Sequence, residues 1–248
     1  MNIIPKKYTV TKDDIEAIKG LGYNISISYA FSLEDIINLN FPNFNISKYL
    51  STVDTSFSPT TTNTIDRYIR YNDSPLTLGI EYYNNYAHEN EQLAFYRVFR
   101  KIRKSIEIEH KYCIIPEPFR GKGLIKTVFQ ESLQQYVNMH AKKIIVHAGL
   151  SGGGYTWAKH GFVAIKRQEV KKILDLAESE LSDIEFQPIK KIYDVYYKKY
   201  PNGRTFPMDL WAASGYMKDI LMGSNWNGQL DLRKSDQFRN FKEYVYRQ

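Results

Sequence analysis

The stretch Ile115-Pro-Glu-Pro-Phe-Arg-Gly-Lys-Gly-Leu-Ile-Lys126 carries the densest chemical signal in the chain. A branched, aromatic-rich run precedes it and an apolar stripe of helical period follows it, so its two glycines open a helix directly after a strand. Such a turn presents free backbone N–H groups at the positive end of the helix dipole, a cradle for phosphate or pyrophosphate. Arg120 and Lys122 add positive charge beside it. The same residues also suit a tight turn that only needs small side chains. Two other phosphate loops are excluded by spacing. The turn is too short for Gly, four residues, then Gly-Lys-Ser/Thr, and Lys126 stands where a dinucleotide fingerprint needs its third glycine.

Other reactive residue types are sparse. The single cysteine, Cys113, sits in an apolar run and reads as a small buried residue without the surroundings that lower a thiol pKa. The five histidines show no metal-ligand spacing, so no metal is expected. Ser151-Gly152-Gly153-Gly154 reads as a flexible connection, with a hinge or a second anion cradle as alternatives.

The elements that must position the turn follow from periodicity. Residues 76–83 and 92–99 are strand-like, and the polar segment 84–91 between them predicts an antiparallel pair. In 105–115, Ile106, Ile108, His110, Tyr112 and Ile114 alternate onto one strand face. A helix over about 123–140 carries Leu124, Val128, Phe129, Leu133, Tyr136 and Val137 on one stripe. Residues 143–148 then read as a short buried strand, which completes a strand–glycine turn–helix–strand unit. Thr11 and Ser32 look like helix caps, and 51–63 like a Ser/Thr-rich loop. Further on, helical patterns are expected at 169–181 and 188–200, a strand at 229–232, and a last helix begun by Ser235.

Composition sets the outer limits. With 248 residues, 43% hydrophobic and 25% charged, the chain has the make-up of an ordinary globular protein with room for a sizeable core. One cysteine excludes a disulfide framework. No run approaches the roughly 18 apolar residues of a membrane span, and residues 1–10 lack a secretory apolar core, so the expectation is a cytoplasmic protein with no membrane partner. The formal charge of +7 suits a polyanionic ligand. The cluster Arg97, Arg100, Lys101, Arg103 and Lys104 reads as a solvated edge.

Arg120-Gly121-Lys122-Gly123-Leu124-Ile125 resembles the pyrophosphate signature Arg/Gln-x-x-Gly-x-Gly/Ala of the GNAT superfamily of acyl-CoA-dependent N-acyltransferases. A second landmark, an aromatic, three residues, then Gly-Phe and a strand, stands as Trp157-Ala-Lys-His-Gly161-Phe162. Together the landmarks span roughly residues 106–165. Two positions depart from the pattern: Ile125 replaces Gly or Ala, and Trp157 stands where a tyrosine usually protonates the leaving thiolate. An indole is no acid at neutral pH.

The resemblance implies a mixed α/β fold of α+β type, with a mostly antiparallel central sheet. It further implies a splayed parallel pair formed by 105–115 and 143–148, helices on both faces and a helical C-terminal extension. The corresponding division is an N-terminal segment 1–62, an acyl-CoA-binding core 63–168 and an extension 169–248. It implies acetyl-CoA or another acyl-CoA as co-substrate, with pantetheine along Cys113, Ile114 and Ile115 and pyrophosphate on Arg120, Gly121, Lys122, Gly123, Leu124 and Ile125. Glu109 is the preferred base, with Glu107, His110 and His147 as other candidates. Tyr155 is the substitute acid, and Trp157, Trp211 and Trp226 are expected to wall the acceptor site. The expected reaction is acyl transfer to a primary amine of a small molecule, peptide or protein. A GNAT-like module without turnover is the alternative. Nucleic-acid binding through Phe95-Tyr96-Arg97-Val98-Phe99-Arg100 ranks last.

Overall fold

A computed structural model describes residues 3–27, 31–149, 152–203 and 205–247. The chain is mixed α/β with largely antiparallel strand pairing, and its contacts divide it into two compact units, Met1–Lys142 with Val245–Gln248, and Lys143–Tyr244.

The first unit contains α1 (Lys12–Gly20), β1 (Asn24–Ile27), α2 (Leu33–Asn40), α3 (Ile46–Phe57), β2 (Ile65–Asp73), β3 (Leu76–Asn84), β4 (Ala94–Ile102), β5 (Ser105–Ile114) and α4 (Leu124–Asn138). Thr11 caps α1 in a reciprocal box with Asp14, and the Ser32 hydroxyl accepts from the Asp35 amide at the start of α2, as both sequences predict. Its strands run in the order β1-β2-β3-β4-β5, with β1 parallel to β2 and every other pair antiparallel. The expected β3–β4 pairing over the polar connection is present. The expected loop at 51–63 is not: residues up to Phe57 belong to α3, followed by a 3-10 turn at Ser58–Thr60. Tyr49, Leu50, Val53 and Phe57 recur at helical spacing, and their burial outweighs the weak helix propensity of Ser and Thr.

Those side chains meet β4. Phe95 and Phe99 point to one face and pack against Tyr49, Phe57 and Phe44, while Phe99 also reaches Phe41 after α2 and Tyr136 of α4. In this unit α3, α4 and the Phe41 that follows α2 pack on that one face.

The β4–β5 ladder contains a bulge. Tyr96 pairs with Tyr112 but Arg97 pairs with His110, so Lys111 is an extra residue on β5. One inserted residue exchanges the faces beyond it. Ile106, Ile108 and His110 are buried as expected, but Tyr112 turns outward and is 51% exposed.

The second unit contains β6 (Lys143–Ala148), α5 (Gly153–Lys159), β7 (Val163–Ala164), α6 (Arg167–Glu180), α7 (Asp183–Lys199), β8 (Phe206–Pro207), α8 (Asp209–Ala212), α9 (Met217–Met222), β9 (Trp226–Asp231) and all but the last two residues of α10 (Ser235–Tyr246). Here the strand order is β6-β9-β7-β8, all antiparallel. Since β9 pairs with both β6 and β7, the segment after 168 supplies a strand of this sheet. A division at 168 would sever it, and the three-segment division differs from the observed units for that reason. Helix α7 begins five residues before Pro188, because Ser182 and Glu185 close a capping box there and the proline lies inside the second turn. Among the described residues no helix is long and apolar enough to cross a membrane.

Candidate functional site

The glycine turn joins β5 to α4. Pro116 ends the strand, a 3-10 turn covers Glu117–Phe119, and Gly121 and Gly123 take φ of 74° and 77°. Left-handed backbone at two positions two residues apart in a strand-to-helix turn is glycine chemistry. A Cβ at either position would meet no atom within 4 Å, so the backbone faces open space. Gly123 is the N-cap of a 15-residue helix and has no side chain to cap it. Among the described residues the amides of 121–125 donate no hydrogen bond, and the first bonded one is Lys126 N to Gly123 O at 2.9 Å. Those amides form the unsatisfied positive end of α4.

The flanking cations are partly committed. Arg120 Nε donates to Ile115 O at 2.9 Å, which ties the turn to the end of β5, and Lys122 Nζ lies 5.2 Å from the Phe119 ring centre. The side chains of Leu124 and Ile125 are half-buried, consistent with a branched residue directed away from the open backbone. Beside the turn is a cleft of about 610 Å³, bordered by Thr61, Asn63, Asn90, Pro116, Pro118 and Phe119.

The expected base candidates lie on β5. Glu109 is half-buried and forms ion pairs with Arg100 and with Lys111, the latter at 2.6 Å. Lys111 is the bulge residue, and Arg100 of β4 stands opposite Glu107. His110 is buried and its Nε2 is 2.9 Å from Tyr136 Oη. Burial and the nearby Arg97 guanidinium hold its pKa well below 6.5, so it is a neutral core histidine. Burial pushes the Cys113 thiol up, against the pull of Arg97, in keeping with a cysteine that is no nucleophile.

In the second unit, Tyr155 and Trp157 are half-buried on α5. Lys159 Nζ lies 5.6 Å from the Tyr155 ring, and Trp157 packs against Phe162 with ring centres 4.8 Å apart. His147 is exposed and its Nδ1 lies 3.3 Å from Asn227 Oδ1. The expectation for Trp211 and Trp226 is corrected. Both are fully buried, and Trp211 stacks among Tyr193 and Phe206 while its indole N–H donates to Ile189 O. Aromatic residues in a glycine-punctuated tail carry no sign of the side they face, and here apolar burial claims them. The glycine run is also corrected, since Gly153 and Gly154 open α5. Ser151 lies outside the described residues, but Gly154 is a packing glycine: a Cβ there would stand 2.0 Å from Leu221 O and 2.8 Å from Ser224 Oγ.

Arg97 was read as part of a solvated edge, yet it is the most deeply buried cation described. Its Nη1 donates to Tyr96 O and Tyr112 O at 2.9 and 2.8 Å, and its guanidinium lies 4.1 Å from the Phe95 ring centre. Phe95 and Phe99 of the same run are also buried, while Tyr96 faces outward. The outward half of the same strand pair, including Tyr83, Tyr96 and Tyr112, lines a second cavity that sequence reasoning missed. Its signal depended on a bulge that no periodicity announces. No protein-family model, curated protein or solved structure matches the chain.

Proposed function

We propose that the chain is an N-acyltransferase of GNAT type that moves an acetyl or other acyl group from acyl-CoA to a primary amine in a ternary complex. The observation that carries this reading is the row of unbonded amides at 121–125, opened by two left-handed glycines at the start of a long helix. A pyrophosphate offers the acceptor oxygens such donors lack, and the dipole of α4 favours its charge. Arg120 and Lys122 supply further positive charge at the rim. In this reading the pantetheine pairs with the backbone at Cys113, Ile114 and Ile115.

The chemistry is one substitution at carbon. The amine nitrogen forms a bond to the thioester carbonyl carbon, the C–S bond breaks, and the sulfur leaves with its electron pair. One amine proton passes to a base, for which Glu109 is the candidate, and the thiolate takes a proton from an acid, for which Tyr155 is the candidate. A binding module without turnover remains the second reading. It is favoured by the two ion pairs that occupy Glu109 and by the indole at 157.

Calorimetric titration with acetyl-CoA and with CoA, repeated on Gly123→Trp, tests the assignment. Micromolar binding by the wild type that is lost in the variant is the expected outcome. No binding of either compound by the folded wild type overturns the reading. Binding without consumption of acetyl-CoA across a panel of amines leaves the module.

A further inference from the structure

The face of the first unit's sheet opposite α3 and α4 holds a cavity of about 320 Å³. Tyr83 of β3, Tyr86 of the following connection, Tyr96 of β4 and Tyr112 of β5 surround it, with Glu81 and Gln92 at its edge. Tyr83, Tyr86 and Tyr112 are 36%, 43% and 51% exposed, far more than structural packing requires of tyrosine. Tyr112 stands here only because the Lys111 bulge turned it outward. The rim is preorganised. Asn84 is buried, donates from its backbone N to Leu93 O at 3.1 Å, accepts at Oδ1 from Leu93 N at 2.7 Å, and donates from Nδ2 to Glu91 O at 2.9 Å.

The charge of this cup runs against that of the chain. In a protein of formal charge +7, Glu81 is the sole acid or cation among the residues that line it, with its partner Arg70, and Arg100 and Glu109 beyond Tyr96, as the charged groups around it. Tyrosine faces with one carboxylate at the edge favour a cation, since the ring quadrupole and the carboxylate attract the same charge. The protein supplies its own example next door. Arg70 lies 4.4 Å over the Tyr68 ring and donates to Glu81 Oε1 at 3.0 Å, and Tyr68 stacks on Tyr83. Oε2 of Glu81 accepts no hydrogen bond among the described residues.

We infer that this cup binds an organic ammonium group, and that the acceptor of acyl transfer is a diamine or polyamine held by one cationic end. The acceptor half of this inference rests on the acyltransfer reading; the ammonium site does not. A cup that stabilises an ammonium ion opposes its deprotonation, so the nitrogen it holds is not the one acylated. A second amine, free to lose its proton, must attack the thioester. Tyr112 lies directly before the Cys113–Ile115 backbone assigned to the pantetheine, so one bound molecule can span the cup and the end of β5.

Calorimetric titration with 1,4-diaminobutane, tetramethylammonium and the neutral 1,4-butanediol tests the site, on the wild type and on Glu81→Gln, Tyr112→Ala and Gly123→Trp. Both cations bind the wild type and the diol does not. Glu81→Gln and Tyr112→Ala each weaken the cations about tenfold, the scale of one lost charge or aromatic partner. Gly123→Trp leaves their affinity unchanged, which separates this site from the glycine turn. Equal binding of the diol, or unaltered affinity in both cup variants, overturns the site. If the cations bind as expected but acetyl-CoA does not, the ammonium site stands and the acyltransfer reading falls. If both ligands bind and a monoamine of equal length is acylated with the same kcat/KM as 1,4-diaminobutane, the diamine assignment is overturned.

Discussion

Arg97 Nη1 donates at 2.8 Å to the carbonyl oxygen of Tyr112, directly across the bulge between β4 and β5. The same nitrogen reaches Tyr96 O, so one buried guanidinium ties together the two strands where their ladder is interrupted. A bulge interrupts the ladder, and Arg97 bonds one carbonyl on each strand there from the core side. Among the described residues its Nε and Nη2 have no hydrogen-bond partner, so it holds the bulge at an energetic cost.

Replacement of Arg97 tests that role. Arg97→Ala strips both carbonyls and leaves a hole among Phe95, Phe129 and His110, and is expected to destabilise the fold by about 3–5 kcal/mol. Arg97→Met fills the space without a buried charge and should recover at least half of that loss. Denaturant unfolding of the two variants checks the difference. Equal losses would mean that the carbonyl bonds and not the packing decide.

His110 predicts an acid limit. It is buried and neutral in the fold, with its pKa held well below the ordinary 6.5, whereas in the unfolded chain it titrates normally. Its contribution to stability is therefore complete above pH 6.5 and is lost as pH falls towards its folded pKa. Below pH 6.5 the unfolded state binds one more proton, so stability should fall by up to about 1.4 kcal/mol per pH unit from this residue alone. Urea midpoints between pH 7.5 and 5 should show that slope in the wild type and a flatter one in His110→Gln.

Glu169 acts at lower pH. Burial raises its pKa, but hydrogen bonds from the Asn227 amide at 2.7 Å and side chain at 2.6 Å outweigh this, so the carboxyl is held below 4.5. Its stabilising effect is present above pH 4.5 and is lost on acidification through the folded pKa. Glu169→Ala leaves two donors of β9 unpaired, with an expected loss of about 1–3 kcal/mol at pH 7. A thermal melt of that variant that matches the wild type would refute this account.

Adjacent glycines of α5 should differ sharply. Gly154→Ala forces a methyl into Leu221 O at 2.0 Å and should cost at least about 2 kcal/mol. Gly153→Ala meets nothing closer than 3.9 Å and, inside a helix, should be neutral or stabilising by up to about 1 kcal/mol. Parallel thermal melts would give opposite signs; equal shifts would contradict the packing described.

For the proposed reaction, Glu109→Gln should lower kcat by about 100-fold or more while acetyl-CoA affinity stays within about twofold. Steady-state rates with calorimetry distinguish this from loss of fold. An unchanged kcat would leave Glu109 as a partner of Arg100 and Lys111 only.

The local patterns of the chain were enough to determine the elements around the turn. Alternation in 76–83 and 92–99, the apolar stripe from Leu124 to Val137 and two glycines between strand and helix are properties of consecutive residues, and β3, β4, α4 and the open turn follow from them. Residues 24–27 and 65–73 lack such a pattern; their strands exist because β2 finds β3, and β1 finds β2, across the sheet. Arg97 and Tyr112 show the same division more sharply. Each stands in a readable strand, yet one extra residue at Lys111 sends the tyrosine outward and lets the arginine close the gap from within. Trp211 and Trp226 became core, and β9 entered between β6 and β7, through contacts with residues tens of positions away. Backbone sterics and side-chain period act over a few residues and are written in the chain itself. Register, burial and the company a side chain keeps depend on which distant segments exclude water together, and only the tertiary structure decides them.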